Sequence, residues 1–410
     1  MTLPCFRCLT PDDLLASGIS YLPYGGINGL TYGNGLSLSH GYDNQYRISS
    51  IIVGSIMSRT YGYDPNGNIA SIIDAIEPSG NEVFEDAGIY TYQQTTNKLT
   101  QVQGELNIIY GYDANGNITS ANNRTFTYDL SNRLIRVENN GTTVGEYVYN
   151  ANNQRIKKIV QGATRIFHYD LAGRLIAETN DAGQNLAEYV YLGDQVLCKI
   201  SGELAYYYHN DHLGTPQILT NDSGIVSWKA VYTPFGDAEI QVETVENPFR
   251  FPGQYYDQET GLHYNWNRYY DPKTGRYLTP DPVGLEGGIN LFVYVENNPV
   301  IFVDPAGTIV IAPVIAACVA NPVCRGAVAC VGAAVGTGIL ETISALVNRS
   351  FNWCNIGCSV LCNCLGAGLG AAIPQEVFWQ VFGGAAGLAA AGPACNGLCQ
   401  STFKCEPCKK

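Results

Sequence analysis

Apolar and polar residues alternate in short runs along this chain, as in Thr125-Phe126-Thr127-Tyr128 and Glu146-Tyr147-Val148-Tyr149. A period of two puts successive side chains on opposite faces of a strand, so these runs predict half-buried β-strands. One phrase recurs among them: Tyr42-Asp43-Asn44-Gln45-Tyr46-Arg47-Ile48, Tyr63-Asp64-Pro65-Asn66-Gly67-Asn68-Ile69 and Tyr112-Asp113-Ala114-Asn115-Gly116-Asn117-Ile118. It returns at Tyr128-Asp129-Leu130-Ser131-Asn132-Arg133-Leu134, Tyr149-Asn150-Ala151-Asn152-Asn153-Gln154-Arg155 and Tyr169-Asp170-Leu171-Ala172-Gly173-Arg174-Leu175. Each copy reads as a strand ending in Tyr, a turn, and a second strand opening on an apolar residue. Asn-Gly offers the positive φ angles that two-residue hairpin loops need, and Asp or Asn can bond the turn backbone. The copies lie roughly 20 residues apart, with one shorter and one longer gap, which predicts stacked units that bury their apolar faces against neighbours. The result is a long, curling antiparallel sheet. Its tyrosines fit a pleated, half-buried surface with the hydroxyl at the wet edge. A stripe of rings that stacks on carbohydrate is the alternative.

Composition sharpens this picture. Charged residues are 14% of the 410, while Gly numbers 45 and Tyr 28, a mixture that favours short strands and tight turns over helices. A net charge of −13 argues against nucleic acid as a partner, because phosphate contacts need clustered Lys and Arg. The segment Met1 to Leu15 carries Cys5, Arg7, Cys8, Asp12 and Asp13 where a secretory leader would have a basic start and an apolar run, so it does not read as a signal peptide. Its abrupt start in repeat-like sequence suggests a longer precursor. Cys5 and Cys8 form a lone C-x-x-C, a weak metal or redox signal.

The recurring phrase resembles the YD repeat of Rhs proteins and of toxin-complex C subunits, over roughly residues 25 to 308. The resemblance implies repeats that spiral into a hollow β-shell around a variable C-terminal polypeptide. Residues 1–24 are then a lead-in, 25–205 the repeats, 206–308 the repeat-associated core and 309–410 the passenger. The core carries the densest match: Tyr208-His209-Asn210-Asp211-His212-Leu213-Gly214-Thr215-Pro216, Tyr232-Thr233-Pro234-Phe235-Gly236, and the run from Arg268 through Leu285. Asn290-Leu291-Phe292-Val293-Tyr294-Val295 and Asp304-Pro305-Ala306-Gly307 complete it.

The candidate chemistry lies in a doubled Asp-Pro-x-Gly, at Asp281 and Asp304. Either copy alone is an ordinary turn: Asp accepts from the backbone, Pro presets φ and Gly takes the left-handed position. Two carboxylates brought together, however, tend to share one proton. The ionised member can deprotonate a water while the protonated one donates to the carbonyl or the departing nitrogen. The resemblance implies that role for Asp281 and Asp304, with Arg268 supporting, and a cut between Thr308 and Ile309; the family generally has Leu where this chain has Thr308. Two purely structural turns are the competing reading. His209 and His212 with Asp211 between them suggest a metal site, but no third ligand is evident and the segment is a structural element of the family's core. No metal or cofactor is therefore expected.

Beyond Thr308 the composition breaks. Eleven of the 14 Cys lie there, in a segment rich in Gly, Ala and Val. Cys354, Cys358 and Cys362 would line one face of a helix, and Cys395 and Cys399 repeat the spacing. That arrangement suits a disulfide-stapled α-helical pair, with zinc on Cys362, Cys364, Cys405 and Cys408, or free thiols, as alternatives. The apolar stretches 309–324, 326–340 and 377–395 raise a membrane role, although most are short or diluted by Gly and Ala.

The expected protein is thus mainly β. A spiralling antiparallel β-hairpin YD-repeat sheet, a partial shell, is followed by a small, mainly α, Cys/Gly/Ala-rich C-terminal domain. The expected function is that of an Rhs-type polymorphic toxin fragment, secreted or delivered to a target cell. Its partners would be its own passenger, an immunity protein, delivery machinery and, for the tail, a membrane. The alternative is a non-enzymatic secreted or cell-surface adhesion scaffold.

Overall fold

The computed structural model describes residues 14–310, apart from 23–25, 46, 66–67, 77–87, 94, 105 and 309. The passenger segment with its cysteines, and Cys5 and Cys8, lie outside the described residues, and so does the expected α-helical tail. The first compact unit reaches Ile315.

Its architecture follows from hairpin succession. Six strands from Ala16–Tyr21 to Ile69–Asp74 form one sheet, and sixteen from Ile89–Tyr92 to Ala238–Glu243 form a second, each in sequence order. Every neighbouring pair is antiparallel. The large sheet runs through residue 206 without a break. A smaller sheet follows, made of Tyr255–Asp257, Leu262–Asn265, Arg268–Asp271 and Arg276–Tyr277. Among the described residues the helical elements are two 3-10 turns, Gly284–Gly287 and Val295–Asn297. The mainly β, antiparallel expectation is met.

The turn of the recurring phrase has a definite chemistry. Asp129 Oδ1 accepts from the Ser131 and Arg133 N–H groups at 2.9 and 3.0 Å, and its Oδ2 takes Arg133 Nε at 2.7 Å. Asp43 with Arg47, and Asp170 with Arg174, repeat the arrangement. The loop is therefore wider than the two-residue hairpin expected here. Five residues lie between the end of strand Arg124–Tyr128 and the start of Leu134–Asn139, and one residue, Asn132 at the Asp129 turn and Gly173 at the Asp170 turn, takes positive φ. Two-residue loops occur at other strand returns, as at Asn140-Gly141, where both residues have positive φ.

The tyrosine that opens each phrase is a staple between repeats. Tyr149 donates its hydroxyl to the Leu134 carbonyl at 2.6 Å, Tyr169 to Arg155 at 2.8 Å and Tyr191 to Leu175 at 2.9 Å. Tyr42, Tyr63, Tyr112 and Tyr128 do the same one repeat earlier each time. The turn arginine completes the link: Arg47 lies over the Tyr63 ring, Arg133 over Tyr149 and Arg174 over Tyr191, at 4.2, 5.3 and 5.0 Å. These hydroxyls are thus tied into the preceding repeat and are not displayed at a wet edge.

One copy departs from the pattern in an informative way. Where the others open their second strand on Ile or Leu, the phrase at Tyr149 has Arg155, which is fully buried. Its guanidinium lies among the Tyr147, Phe167, Tyr255, Tyr264 and Tyr269 rings and pairs with Asp257 of the small sheet. Lys158 bonds both Asp257 and Glu259, at 2.9 and 3.1 Å. Burial pushes the Asp257 carboxyl up, but the Arg155 and Lys158 charges outweigh it and hold the group below the usual carboxylate range. This ion pair fixes where the small sheet sits on the large one. The apolar contacts around it, including Phe126, Leu134, Val137, Tyr147, Leu262 and Leu278, supply the non-directional part of the attraction.

Two outcomes follow for stability. Arg155→Leu restores the apolar residue of the other repeats but leaves the buried Asp257 to Lys158 alone, and lowers unfolding stability by about 3 kcal/mol, the lower end of what breaking a buried pair costs; adding Asp257→Asn recovers much of it. Thermal unfolding of the two variants checks this, and equal losses from both would refute it. Tyr149→Phe, which leaves the Leu134 carbonyl without its donor, costs about 1 kcal/mol in the same measurement.

Candidate active site

The small sheet carries the two Asp-Pro-x-Gly turns to one place. Arg268, in strand Arg268–Asp271, projects a buried guanidinium whose Nη2 lies 2.9 Å from Asp281 Oδ2 and 3.0 Å from Asp304 Oδ2. Two residues separated by twenty-three positions in the chain thus meet on one nitrogen, and no more than two hydrogen-bond lengths separate their oxygens. Arg268, Asp281 and Asp304 are all buried.

Each aspartate still performs its turn duty. Asp281 Oδ1 accepts from Val283 N–H at 3.0 Å and Asp304 Oδ1 from Thr308 N–H at 2.8 Å. Gly284 and Gly307, three residues on, both have a φ of 65°. This is the geometry of the repeat turn, with one oxygen for the backbone and one for an arginine. The difference is in the count. In the repeats Asp43, Asp129 and Asp170 each have their own Arg four residues on, whereas here two carboxylates share one guanidinium.

Charge balance then favours a proton on the pair. The Asp281 carboxyl is raised, chiefly by burial, with the Arg268 charge opposing and the Asp304 charge adding to it. Asp304 accepts from a further donor, the Tyr277 hydroxyl, at 2.8 Å. Tyr277 is in turn held by Asn265 Nδ2 at 2.8 Å, and its ring lies 3.6 Å beneath the Arg268 guanidinium. Burial, followed by the Asp304 charge, pushes the Tyr277 phenol well up, so at neutral pH it is a donor.

The backbone around the expected cut is strapped to the same hairpin. Asn265 Nδ2 donates to the Asp304 carbonyl at 2.8 Å, Asn267 Nδ2 to Ala306 at 3.0 Å and Arg268 Nε to Gly307 at 2.7 Å. A Cβ on Gly307 would meet the Asn265 carbonyl oxygen, so this turn needs glycine for space as well as for its φ. Thr308 is described and Ile309 lies outside the described residues.

The histidines of the core segment are engaged elsewhere. His209 Nε2 bonds Thr220 Oγ1 at 2.8 Å, its ring stands edge-on to Tyr32, and burial lowers it to about 3. His212 Nε2 bonds the Val300 carbonyl at 2.7 Å and packs on Tyr61. Tyr277 and Asn265 were not singled out from the sequence. Tyr277 lies inside the core run that carries the family match, but with 28 tyrosines in the chain nothing local distinguishes it.

Comparison with known proteins bears on the fold and the family. The Teneurin YD-shell family profile matches residues 28–300, about two thirds of the chain. Among curated relatives, double-stranded DNA deaminase toxin A of Burkholderia cenocepacia is 43% identical over 107 residues, covering 25% of this chain and 7% of its own. Toxin protein Tse5 of Pseudomonas aeruginosa is 42% identical over 104 residues, covering 25% and 8%. The tRNA nuclease WapA of Bacillus subtilis is 30% identical over 200 residues, covering 46% and 9%. The chain spans less than a tenth of these three relatives. A Tc holotoxin pore of Photorhabdus luminescens shares the fold, with a TM-score of 0.54 at 18% identity over 72% of this chain and 19% of that one. A repeat sheet stapled by Tyr and Asp, a family profile covering most of it, and toxins among the relatives lead to one identification: this chain belongs to the Rhs/YD-repeat shell family.

Proposed function

We propose that this chain is a toxin shell segment that cuts itself after Thr308 and so detaches residues 309–410 as its passenger. Residues 25–205 act as the repeat wall and 206–308 as the core that houses the protease. The observation that carries the reading is the meeting of both Asp Oδ2 atoms on the one Arg268 Nη2. Toxins among the relatives support the delivered role. In that role the passenger is accompanied by an immunity protein and by delivery machinery.

The chemistry needs one proton shared by the pair. Water attacks the Thr308 carbonyl carbon and gives a proton to the ionised carboxylate. The C–N bond breaks as the carboxylic acid passes its proton to the Ile309 nitrogen. The immediate products are a Thr308 carboxylic acid, with the shell, and an Ile309 amine, at the head of the passenger; the acid's proton then passes to the amine, giving carboxylate and ammonium. The pair ends with the single proton it began with. Arg268 holds the Gly307 carbonyl through Nε, and Asp304 the Thr308 N–H, which together immobilise the residues leading into the scissile bond. Such positioning is a large part of what a protease supplies.

Intact-mass spectrometry of the purified full chain tests this. The expected result is two species, one ending at Thr308 and one beginning at Ile309. Asp281→Asn and Asp304→Asn each slow their appearance by at least about a hundredfold, the scale of a lost general acid or base. A wild-type chain that stays at full length would remove the self-cutting account and leave a binding scaffold. Thr308→Leu, the family's usual residue, is expected to cleave at least as fast as wild type in a time course, and loss of cleavage would contradict the assignment of this position.

A further inference from the structure

We propose that Tyr277 is a positioning residue of this site: its hydroxyl, held by Asn265 and aimed at Asp304 Oδ2, makes Asp304 the carboxylate that takes the proton from water and leaves Asp281 as the acid. The inference rests on the self-cleavage reading and deepens it, because the two aspartates are otherwise alike in motif and in their contact with Arg268.

One further donor makes them unequal. Asp304 accepts from Tyr277 Oη, Arg268 Nη2 and Thr308 N–H, at 2.8, 3.0 and 2.8 Å. Asp281 accepts from Arg268 Nη2 and Val283 N–H. Donors to a carboxylate favour its ionised form, so the extra hydroxyl tips the shared proton toward Asp281. Tyr277 cannot turn away cheaply. It is 1% exposed, its ring is packed against Tyr270 and Tyr294, and Asn265 Nδ2 occupies its oxygen from the other side. Asn265 also donates to the Asp304 carbonyl, so a single side chain sets both the tyrosine and the turn it serves.

Among the described residues, the charged and titratable groups facing Asp304 include Arg268, Asp281, Tyr277 and Tyr294, and those facing Asp281 include Arg268 and Asp304. Removing the hydroxyl with Tyr277→Phe keeps the ring beneath Arg268 but takes one donor from Asp304. The acid limb of the rate profile, where the pair takes up its second proton, moves to higher pH, because the lost donor faced the ionised member; the alkaline limb, where the pair gives up its one proton, stays.

Pulse-labelled full chain made by cell-free synthesis and moved into buffers from acid to alkaline gives the profile. The expected result for Tyr277→Phe is an acid limb displaced upward by about one pH unit, the scale of a hydrogen bond to a charged group, with slower cleavage at neutral pH. Thermal unfolding is compared on the Asp281→Asn background, with and without Tyr277→Phe, and a difference within about 3 °C is expected. A wild-type profile in Tyr277→Phe, with Asp304→Asn inactive, would overturn the role of Tyr277 while leaving self-cleavage standing. A large fall in unfolding temperature would overturn it too, by making the hydroxyl an element of the fold. If wild type itself stays uncut at every pH, the self-cleavage reading fails, and this inference with it.

Discussion

One device recurs through this protein: an acidic or amide side chain at a turn gives one oxygen to the backbone, and where it is aspartate the other goes to a side-chain donor, an arginine at Asp43, Asp129 and Asp170 and an asparagine at Asp64 and Asp113. In three of the six phrases, those at Asp43, Asp129 and Asp170, the Asp and Arg come from the same phrase, four residues apart, so each charge is balanced locally; at Asp64 and Asp113 an asparagine amide takes the arginine's place. The arginine then lies over the next repeat's tyrosine, and that tyrosine reaches back to a carbonyl. Local turn chemistry thereby becomes contact between repeats. No repeat needs to be stable alone, since each is completed by its neighbour.

At the end of the described chain the same device is reused with one arginine too few. Asp281 and Asp304 keep their turns but share Arg268. Their environment is buried, where two ionised carboxylates and one guanidinium leave an uncompensated negative charge, and such a charge is expensive. Taking up a proton relieves it. On the proposed reading, a structural motif becomes an acid–base pair by stoichiometry and burial, and no new motif is needed. The repeat turns differ from it in just this respect, because their side chains are partly exposed and paired one to one.

Much of this was legible in the sequence, for identifiable reasons. Strand alternation and turn residues are local, so the hairpin sheet could be read from Tyr128, Asp129 and Asn132 and their counterparts. The doubled Asp-Pro-x-Gly pointed to Asp281 and Asp304. The width of the loop was misjudged because Asn-Gly in a turn signals positive φ without stating how many residues the Asp oxygen spans; five are spanned at Asp129 and two suffice at Asn140-Gly141. Arg155 had a visible signal, a charge in an apolar slot, but its partner Asp257 lies about a hundred residues away and nothing local names it. Tyr277 had no signal at all. Its role depends on a hydrogen bond across 27 positions, and only folding makes that neighbourhood.

The central claim is that Arg268, by gathering two acids, creates the reactive pair. Its most direct measurement is the mass of the full chain carrying Arg268→Lys, with far-UV circular dichroism confirming the β fold. Lysine keeps the charge but lacks the planar fork that reaches both carboxylates and the Gly307 carbonyl at once. The account predicts a folded chain that remains at its full 410 residues. A folded lysine variant that separates after Thr308 as fast as the natural chain would contradict it.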